Sequence, residues 1–247
     1  ALYNTVRAGI SQEGDRYFYV NPLEVWPENC LPHSAKEHVK PVRQKWFDVA
    51  CCPTNVARTL TSLGQYIYSV SNNDLYLNLF VGNQTEVKLN GTPVELQLAC
   101  DFPVSGQMTL TVAAEQETEF TLRMRVPAYA KNYSLRVNGQ IQAVKIEKGF
   151  AVLKRKWKKD TIAISFDMEA KFVSANPQVR ADAGRIALVR GPETFCLEEA
   201  DNGKNLSAVF VNRKTALMTA YDAKLCGGVN VIHFEGERLN EEDWDAD

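Results

Sequence analysis

The feature that most constrains the fold is an alternation of apolar and polar residues with a period of two, which starts near Asp74. Successive side chains of a β-strand point to opposite faces, so this period predicts strands. Asn90-Gly91 and Asn138-Gly139 separate neighbouring runs, and Asn-Gly accepts the positive φ angles of a two-residue hairpin turn. The alternating runs are residues 75–81, 86–89, 94–98, 108–112, 120–126, 135–137 and 162–168. Short strands spaced by turns predict a β-sandwich over about residues 72–170.

A second set of strand-like runs follows Gly184. These runs are residues 185–190, 194–198, 206–211 and 229–234. They predict a second, smaller β module. The acidic residues after 234 are predicted to be frayed surface. The sequence as a whole therefore predicts a mainly β protein.

The first seventy residues have a different character. The first fifty are aromatic, Pro-containing and irregular, and only residues 16–20 predict a strand. Further on, Val56, Leu60, Leu63 and Ile67 recur at i, i+4, i+7 and i+11, which predicts an amphipathic helix of about four turns. Pro53 suits the first helical position, which places Cys52 at or next to the N-cap.

This helix and fifty loop-like residues cannot cover their own apolar face. Two explanations stay open: the segment packs on the sandwich, or the chain is the rear part of a longer protein.

Charge and hydropathy exclude some partners. The formal net charge is -2, and no run of five like charges occurs, so neither nucleic acid nor an anionic membrane is an expected partner. No window reaches 18 consecutive apolar residues, and residues 1–7 lack the basic and apolar regions of a signal peptide. The sequence leaves the compartment undetermined between cytoplasm and periplasm.

The six cysteines are too sparse and irregular for a disulfide framework. Adjacent Cys51 and Cys52 are unusual, because thiolates are soft zinc ligands and are stabilised at the positive end of a helix. Two buried thiols that only fill space are the alternative. Two thiolates make half of a tetrahedral zinc shell. Candidates for the other half are Cys30, Glu28, His33 and His38, although no spacing among them matches a zinc finger.

A second candidate site lies before the cysteines. Glu24 follows aromatic residues in a Pro-containing loop, and a carboxylate among aromatic rings suits a sugar. His38 and Arg43 form a similar group with Trp46. We predict substrate-binding roles for Glu24, His38 and Arg43. The alternatives are a solvated carboxylate and a structural cation–π pair.

Several segments resemble one known family. They are Ala1-Leu2-Tyr3-Asn4, Tyr19-Val20-Asn21-Pro22-Leu23-Glu24, Val39-Lys40-Pro41-Val42-Arg43, Ala50-Cys51-Cys52-Pro53-Thr54-Asn55, and the stretches 120–127, 157–168 and 184–192. Together they resemble glycoside hydrolase family 127, the β-L-arabinofuranosidases also called DUF1680. The resemblance spans nearly the whole chain, and its Cys-Cys-Pro-x-Asn segment is quite specific.

The resemblance implies a retaining glycosidase that acts on β-L-arabinofuranosyl or related plant-type glycans. Cys51 would be the nucleophile and a zinc ligand, and Cys52 a second ligand, of a Zn²⁺ held by one Glu and three Cys. The fold implied is an (α/α)6 barrel followed by β-sandwich domains. The division is then residues 1–70 as the last loop and helix of the barrel, 71–172 as a β-sandwich, and 173–247 as a smaller β domain.

In the family, the general acid/base Glu and the Glu-x-Cys ligands lie upstream of the segment that opens this chain. We therefore expect the isolated chain to be inactive, and we interpret Glu28-Asn29-Cys30 as a coincidence. The expected partner is a separate N-terminal barrel domain or a second copy in a homodimer. The rival hypothesis is a non-catalytic β-sandwich module that binds carbohydrate or another protein.

Overall fold

The structure is a computed structural model that describes residues 2–22, 24–27, 30 and 37–240. The described chain is mainly β, which confirms that part of the fold prediction. The helices are a π-helical turn Leu2–Val6, α1 Arg7–Gly9, α2 Cys51–Ser62, α3 Gly64–Ile67 and α4 Glu199–Asn202, with 3-10 turns at Arg180–Asp182, Leu206–Ala208 and Leu225–Gly227. None of the helices in these ranges is both long and apolar enough to cross a membrane.

The described residues contain sixteen strands, numbered in chain order. They are β1 Tyr68–Ser71, β2 Asp74–Leu77, β3 Asn83–Leu89, β4 Thr92–Cys100, β5 Gln107–Arg125, β6 Lys131–Val137, β7 Gln140–Gln142, β8 Lys145–Glu147, β9 Phe150–Asp167, β10 Ala170–Val173, β11 Ala187–Arg190, β12 Glu193–Phe195, β13 Val209–Phe210, β14 Met218–Asp222, β15 Val229–His233 and β16 Glu237–Arg238.

The contacts divide the chain into two compact units. One unit is Asp48–Glu169, and the other combines the residues up to Phe47 with those from Ala170 onward. The second unit therefore joins the two ends of the chain, whereas α2 and α3 belong to the first. The predicted division into three domains stays a prediction.

The unit Asp48–Glu169 contains a sheet of nine strands built around two long ones, β5 and β9. The predicted runs 108–112 and 120–126 are two parts of the single strand β5, whose register with β9 shifts between Ala113 and Thr118. The hairpin predictions at Asn90-Gly91 and Asn138-Gly139 are confirmed, because both pairs have positive φ angles and join paired strands. The sandwich arrangement itself stays a prediction.

The core of this unit lies under β5 and β9. Trp157 is fully buried, stacks on Phe120 with ring centroids 5.6 Å apart, and donates from Nε1 to the Phe120 carbonyl at 3.0 Å. The alternation predicted through residue 81 ends early, because β2 stops at Leu77. Phe80 lies three residues beyond the end of β2 and is buried.

The other unit contains smaller sheets. Strands β10, β11 and β12 form a three-stranded antiparallel sheet, β13 pairs with β16, and β14 pairs with β15. The strand predicted at residues 16–20 is wrong, since only Tyr17 pairs there, through single bridges to Ile10 and Gln44. Its backbone instead follows the loop conformation set by these two bridges.

Candidate functional site

The adjacent cysteines occupy the first two positions of α2. The helix begins at Cys51 with Ala50 as its N-cap, so Pro53 is the third helical residue and not the first, as predicted. The first intrahelical backbone bond runs from the Thr54 N–H to the Ala50 carbonyl at 3.3 Å. Proline is tolerated anywhere before that bond, because the N–H groups of the first turn have no helical acceptor.

Two side chains fix this first turn. Thr54 Oγ1 donates to the Ala50 carbonyl at 2.7 Å, and Asn55 Nδ2 donates to the Cys51 carbonyl at 2.8 Å. Both thiols therefore stand on a turn of defined geometry at the positive end of a twelve-residue helix. That end stabilises negative charge on a thiolate.

The two sulfur atoms are close but not bonded to each other. Cys51 Sγ and Cys52 Sγ lie 3.9 Å apart, and neither cysteine is in a disulfide. Two thiolates on one tetrahedral zinc ion, with Zn–S bonds of about 2.3 Å, are separated by about 3.8 Å. Cys51 is exposed and Cys52 is half-buried, so filling of core space does not explain Cys51.

Among the described residues, the candidate metal ligands at this position are the two thiols. No group of three or more His, Cys, Asp or Glu side chains in this described part of the chain is arranged to hold a metal ion. Of the ligands suggested by the sequence, Glu28 and His33 lie outside the described residues. Cys30 Sγ donates to the Trp26 carbonyl at 3.3 Å. The donor set fits half of a zinc shell.

Glu24, His38 and Arg43 belong to one compact unit, and the two cysteines belong to the other. The Glu24 carboxylate forms an ion pair with Arg185. His38 packs on Tyr19, with ring centroids 4.5 Å apart. Their substrate-binding roles stay predictions.

Arg43 has a structural role in the same unit. Its Nη2 and Nε donate to the Ala8 carbonyl at 2.5 and 3.2 Å, and its guanidinium lies 4.7 Å from the centre of the Phe18 ring. The cation–π alternative considered for this residue is therefore present, with Phe18 as the ring instead of Trp46.

Sequence reasoning missed Asn4, whose side chain bonds to the backbone at Pro192 and Thr194. No local pattern reveals such a residue, because its partners lie 188 and 190 positions away in the chain.

Three family models match successive parts of the chain. Residues 1–65 match the "Beta-L-arabinofuranosidase, GH127 catalytic domain", residues 74–168 the GH127 middle domain, and residues 170–233 the "Glycoside hydrolase family 127 C-terminal domain". The chain belongs to glycoside hydrolase family 127. The resemblance noted in the sequence is thereby confirmed, and α2 with its two cysteines falls in the part matched by the catalytic-domain model.

Relatives within family 127 include a named enzyme and solved structures. The chain is 35% identical to the non-reducing end β-L-arabinofuranosidase of Bifidobacterium longum subsp. longum, over 99% of this chain and 38% of that protein. It superposes with a TM-score of 0.91 and 41% identity on Ara127N-Se, a GH127 β-L-arabinofuranosidase from Geobacillus stearothermophilus, over 100% of this chain and 39% of that one. A second GH127 β-arabinofuranosidase gives a TM-score of 0.84 at 32% identity, over 96% and 38%. The chain thus spans about two fifths of the length of these relatives.

Proposed function

We propose that the whole protein to which these residues belong is a glycoside hydrolase that releases β-L-arabinofuranosyl residues from glycans. The observation that carries the proposal is the pair of thiols at the first turn of α2, 3.9 Å apart, within the part matched by the GH127 catalytic-domain model. The family-127 relatives are named β-L-arabinofuranosidases, which supports L-arabinofuranose as the sugar that is released.

Cys51 is the proposed nucleophile. Its thiolate attacks the anomeric carbon of the terminal sugar, a C–S bond forms, and the bond to the leaving oxygen breaks while that oxygen takes a proton from an acid. A water molecule then attacks the anomeric carbon and gives its proton to the conjugate base of that acid while the C–S bond breaks, which releases the sugar with retained configuration and restores the Cys51 thiolate. Of the two thiols, Cys51 is the exposed one, and an attacking atom must be reached by the substrate.

Cys51 and Cys52 are the proposed ligands of a Zn²⁺ ion. When bound, zinc keeps thiols deprotonated and makes a thiolate a better leaving group. The sulfur spacing and the position at a helix N-terminus fit this ion, and the donor set accounts for two of its four ligands. Asn55 and Thr54 have a positioning role in this proposal. Their hydrogen bonds to the Cys51 and Ala50 carbonyls, respectively, orient the turn that bears both sulfur atoms.

Hydrolysis of an aryl β-L-arabinofuranoside by the whole protein tests the proposal. We compare wild type with Cys51→Ser and use Cys100→Ser as the matched control, because Cys100 is half-buried in the nine-stranded sheet. Cys51→Ser is expected to lower kcat at least about 1,000-fold, and denatured wild type quenched during turnover should carry a pentosyl group on Cys51. Full activity of Cys51→Ser would show that another group is the nucleophile.

The 247-residue chain alone is expected to bind zinc poorly and to show no turnover, because two thiolates leave a tetrahedral shell half complete. Stoichiometric zinc with turnover by this chain would contradict that expectation. Binding of a glycan without covalent labelling of Cys51 in the whole protein would favour the non-catalytic module.

A further inference from the structure

The residues at the start of the chain are held by the C-terminal sheet through a small set of specific contacts. Asn4 Nδ2 donates to the Pro192 carbonyl at 2.7 Å, and Asn4 Oδ1 accepts from the Thr194 N–H at 2.9 Å. Three residues later, Arg7 forms an ion pair with Glu193, between those two positions. All five residues belong to one compact unit.

The contact of Asn4 has the geometry of strand pairing. Gly191 and Pro192 form the loop of the β11–β12 hairpin, and β12 is an edge strand of its sheet. In a strand, the carbonyl of one residue and the N–H of the residue two positions later point to the same side. In a parallel sheet, a single residue of the neighbouring strand forms hydrogen bonds with both groups. The carboxamide of Asn4, with one donor and one acceptor group, takes the place of that residue and closes the edge.

The ion pair beside Asn4 is partly removed from water. The Glu193 side chain is 18% exposed, and that of Arg7 is 40% exposed. Burial raises the pKa of the Glu193 carboxyl, while the charges of Arg7 and Arg190 act in the opposite direction. A carboxylate held in this way restricts where Arg7, and with it α1, can lie.

The segment at the start of the chain needs such support. Leu2–Val6 and α1 span five and three residues, and helices this short are not stable by themselves. In the described part of residues 2–47, β-pairing of the backbone is limited to two single bridges, both of which involve Tyr17. Phe18 N–H donates to the Gly9 carbonyl at 2.8 Å, so the loop 16–18 depends in turn on where α1 ends.

A second contact lies at the other hairpin of this unit. A Cβ placed on Gly227, in the turn between β14 and β15, would come within 2.7 Å of Gln12 Nε2. The side chain of Gln12 therefore lies directly against that turn. Together with the pair Arg7–Glu193, this contact joins the start of the chain to both C-terminal hairpins, and the pair Glu24–Arg185 adds a contact with the loop before β11.

We infer that the edge of β12 is a docking surface for the segment of residues 2–18, and that Asn4 is the residue which couples the order of that segment to the C-terminal sheet. In family-127 terms, the C-terminal domain is then a structural support of the catalytic domain and not an independent module. The inference does not depend on the chemistry at Cys51.

Hydrogen exchange on the 247-residue chain tests this coupling at single amides. Asn4→Ala removes both side-chain bonds, and Asn4→Asp keeps the acceptor for Thr194 N–H but loses the donor to the Pro192 carbonyl. Asn176→Ala is the matched control, because Asn176 Oδ1 accepts only a local bond from Gln178 N–H in an exposed turn of the same unit.

We expect Asn4→Ala to speed exchange at Thr194, Tyr17 and Phe18 by at least about 5-fold, with a smaller effect in Asn4→Asp and none in Asn176→Ala. Amides of the nine-stranded sheet, such as Leu122, should keep their rates in all three variants. Faster exchange at Thr194 alone would overturn the coupling, since the hydrogen bond between Asn4 and the Thr194 N–H would then protect only that amide and not the loop at Tyr17 and Phe18. Equal acceleration at Leu122 would also overturn it, because the effect would then be global.

Discussion

Asp160 shows how one carboxylate organises a turn and two strand ends. Its side chain is nearly buried, and its oxygens accept from Asn138 Nδ2 at 2.8 Å, from the Lys158 N–H at 3.0 Å and from Arg155 Nη2 at 3.3 Å. Asn138 in turn accepts from the Thr161 N–H at 2.9 Å. The Asn-Gly turn is thus fixed by a network and not only by its own φ angles.

We predict that Asp160→Ala lowers the free energy of unfolding by about 1–3 kcal/mol, because the three donors that the buried carboxylate holds together lose their acceptor. The matched control is Asp167→Ala, since Asp167 is exposed and accepts one side-chain bond from Asn132. Urea denaturation followed by circular dichroism measures both. Equal losses in the two variants would contradict the importance of the network.

A second group of charged side chains lies on β2, β5 and β8, three strands of the nine-stranded sheet. Arg123 donates to Asp74 at 2.6 Å and to Glu147 at 3.3 Å, and it lies over the Tyr76 ring. Burial acts to raise the pKa of Asp74, but the bonds from Arg123 and Thr121 outweigh it and the pKa falls below its ordinary value of 3.8. Bonds from Lys145 and Arg123 likewise lower the pKa of Glu147 below 4.5.

These shifts predict a loss of stability in acid. Carboxylates with a folded-state pKa below the unfolded value stabilise the fold above the unfolded pKa, and this contribution disappears as the pH falls through the folded pKa. Asp74→Asn should therefore reduce the difference in unfolding free energy between pH 7 and pH 3. Glu95→Gln, on an exposed position of β4, is the control. An unchanged difference in Asp74→Asn would refute the role of the pair with Arg123.

At the scale of elements, the start of β5 lies unusually close to the backbone of β9. Gly106 precedes β5, and its carbonyl accepts from the Phe166 N–H at 3.1 Å. A Cβ at this position would come within 2.1 Å of the Phe166 carbonyl oxygen. Gly64, at the start of α3, has open space around it and no positive φ.

The two glycines predict opposite effects of the same substitution. Gly106→Ala should lower the free energy of unfolding by about 1–3 kcal/mol, because β5 and β9 must move apart. Gly64→Ala should raise it by about 0.4–1 kcal/mol, because alanine restricts the unfolded chain and favours the helix. Chemical denaturation of both variants under one set of conditions measures the two signs. A loss in Gly64→Ala as large as that in Gly106→Ala would contradict the difference in packing.

The apolar face of helix α2 is partly exposed. None of its residues is buried, and Leu60 is 45% exposed on the predicted apolar face, whereas Ile67 in α3 is buried. The sequence left open whether this face packs on the sandwich or is covered by another part of a longer protein, and among the described residues Leu60 is left exposed. The structure corrects the helix itself, which starts at Cys51 and is interrupted after Ser62.

At the scale of the whole molecule, the two units differ in how many apolar side chains they bury. The large buried cluster runs from Ile67 to Met168, all within one unit. Among the described residues of the other unit, the buried apolar side chains are Val6, Phe47 and Ala208. Hydrophobic burial is the main favourable contribution to folding, so the two units should differ in stability.

We predict that native-state hydrogen exchange protects amides of β5 and β9 most strongly and amides of β10–β15 less, by about 10-fold or more in rate. Low concentrations of denaturant should raise exchange first in the unit that contains β10–β15. Trp157, a fully buried residue of β9, provides a fluorescence probe of the later transition in a variant whose other three tryptophans, Trp26, Trp46 and Trp244, are replaced by Phe. Simultaneous loss of protection in both units would show that they unfold as one.

The sequence by itself determined the β character, the two Asn-Gly turns, the adjacent thiols at a helix start and the family. Each of these depends on neighbours in the chain: a period of two, a dipeptide with positive φ, or a short motif. Cys196 and Cys226 show the limit of such local patterns: both lie in or beside runs that the sequence predicts as strands, which favours buried thiols, and the structure leaves both exposed. Only the tertiary structure decided that β5 is one long strand, that Glu24 pairs with Arg185 and that Asn4 closes the edge of β12. Those contacts join residues far apart in sequence, and their energies depend on distance and burial that no local pattern encodes.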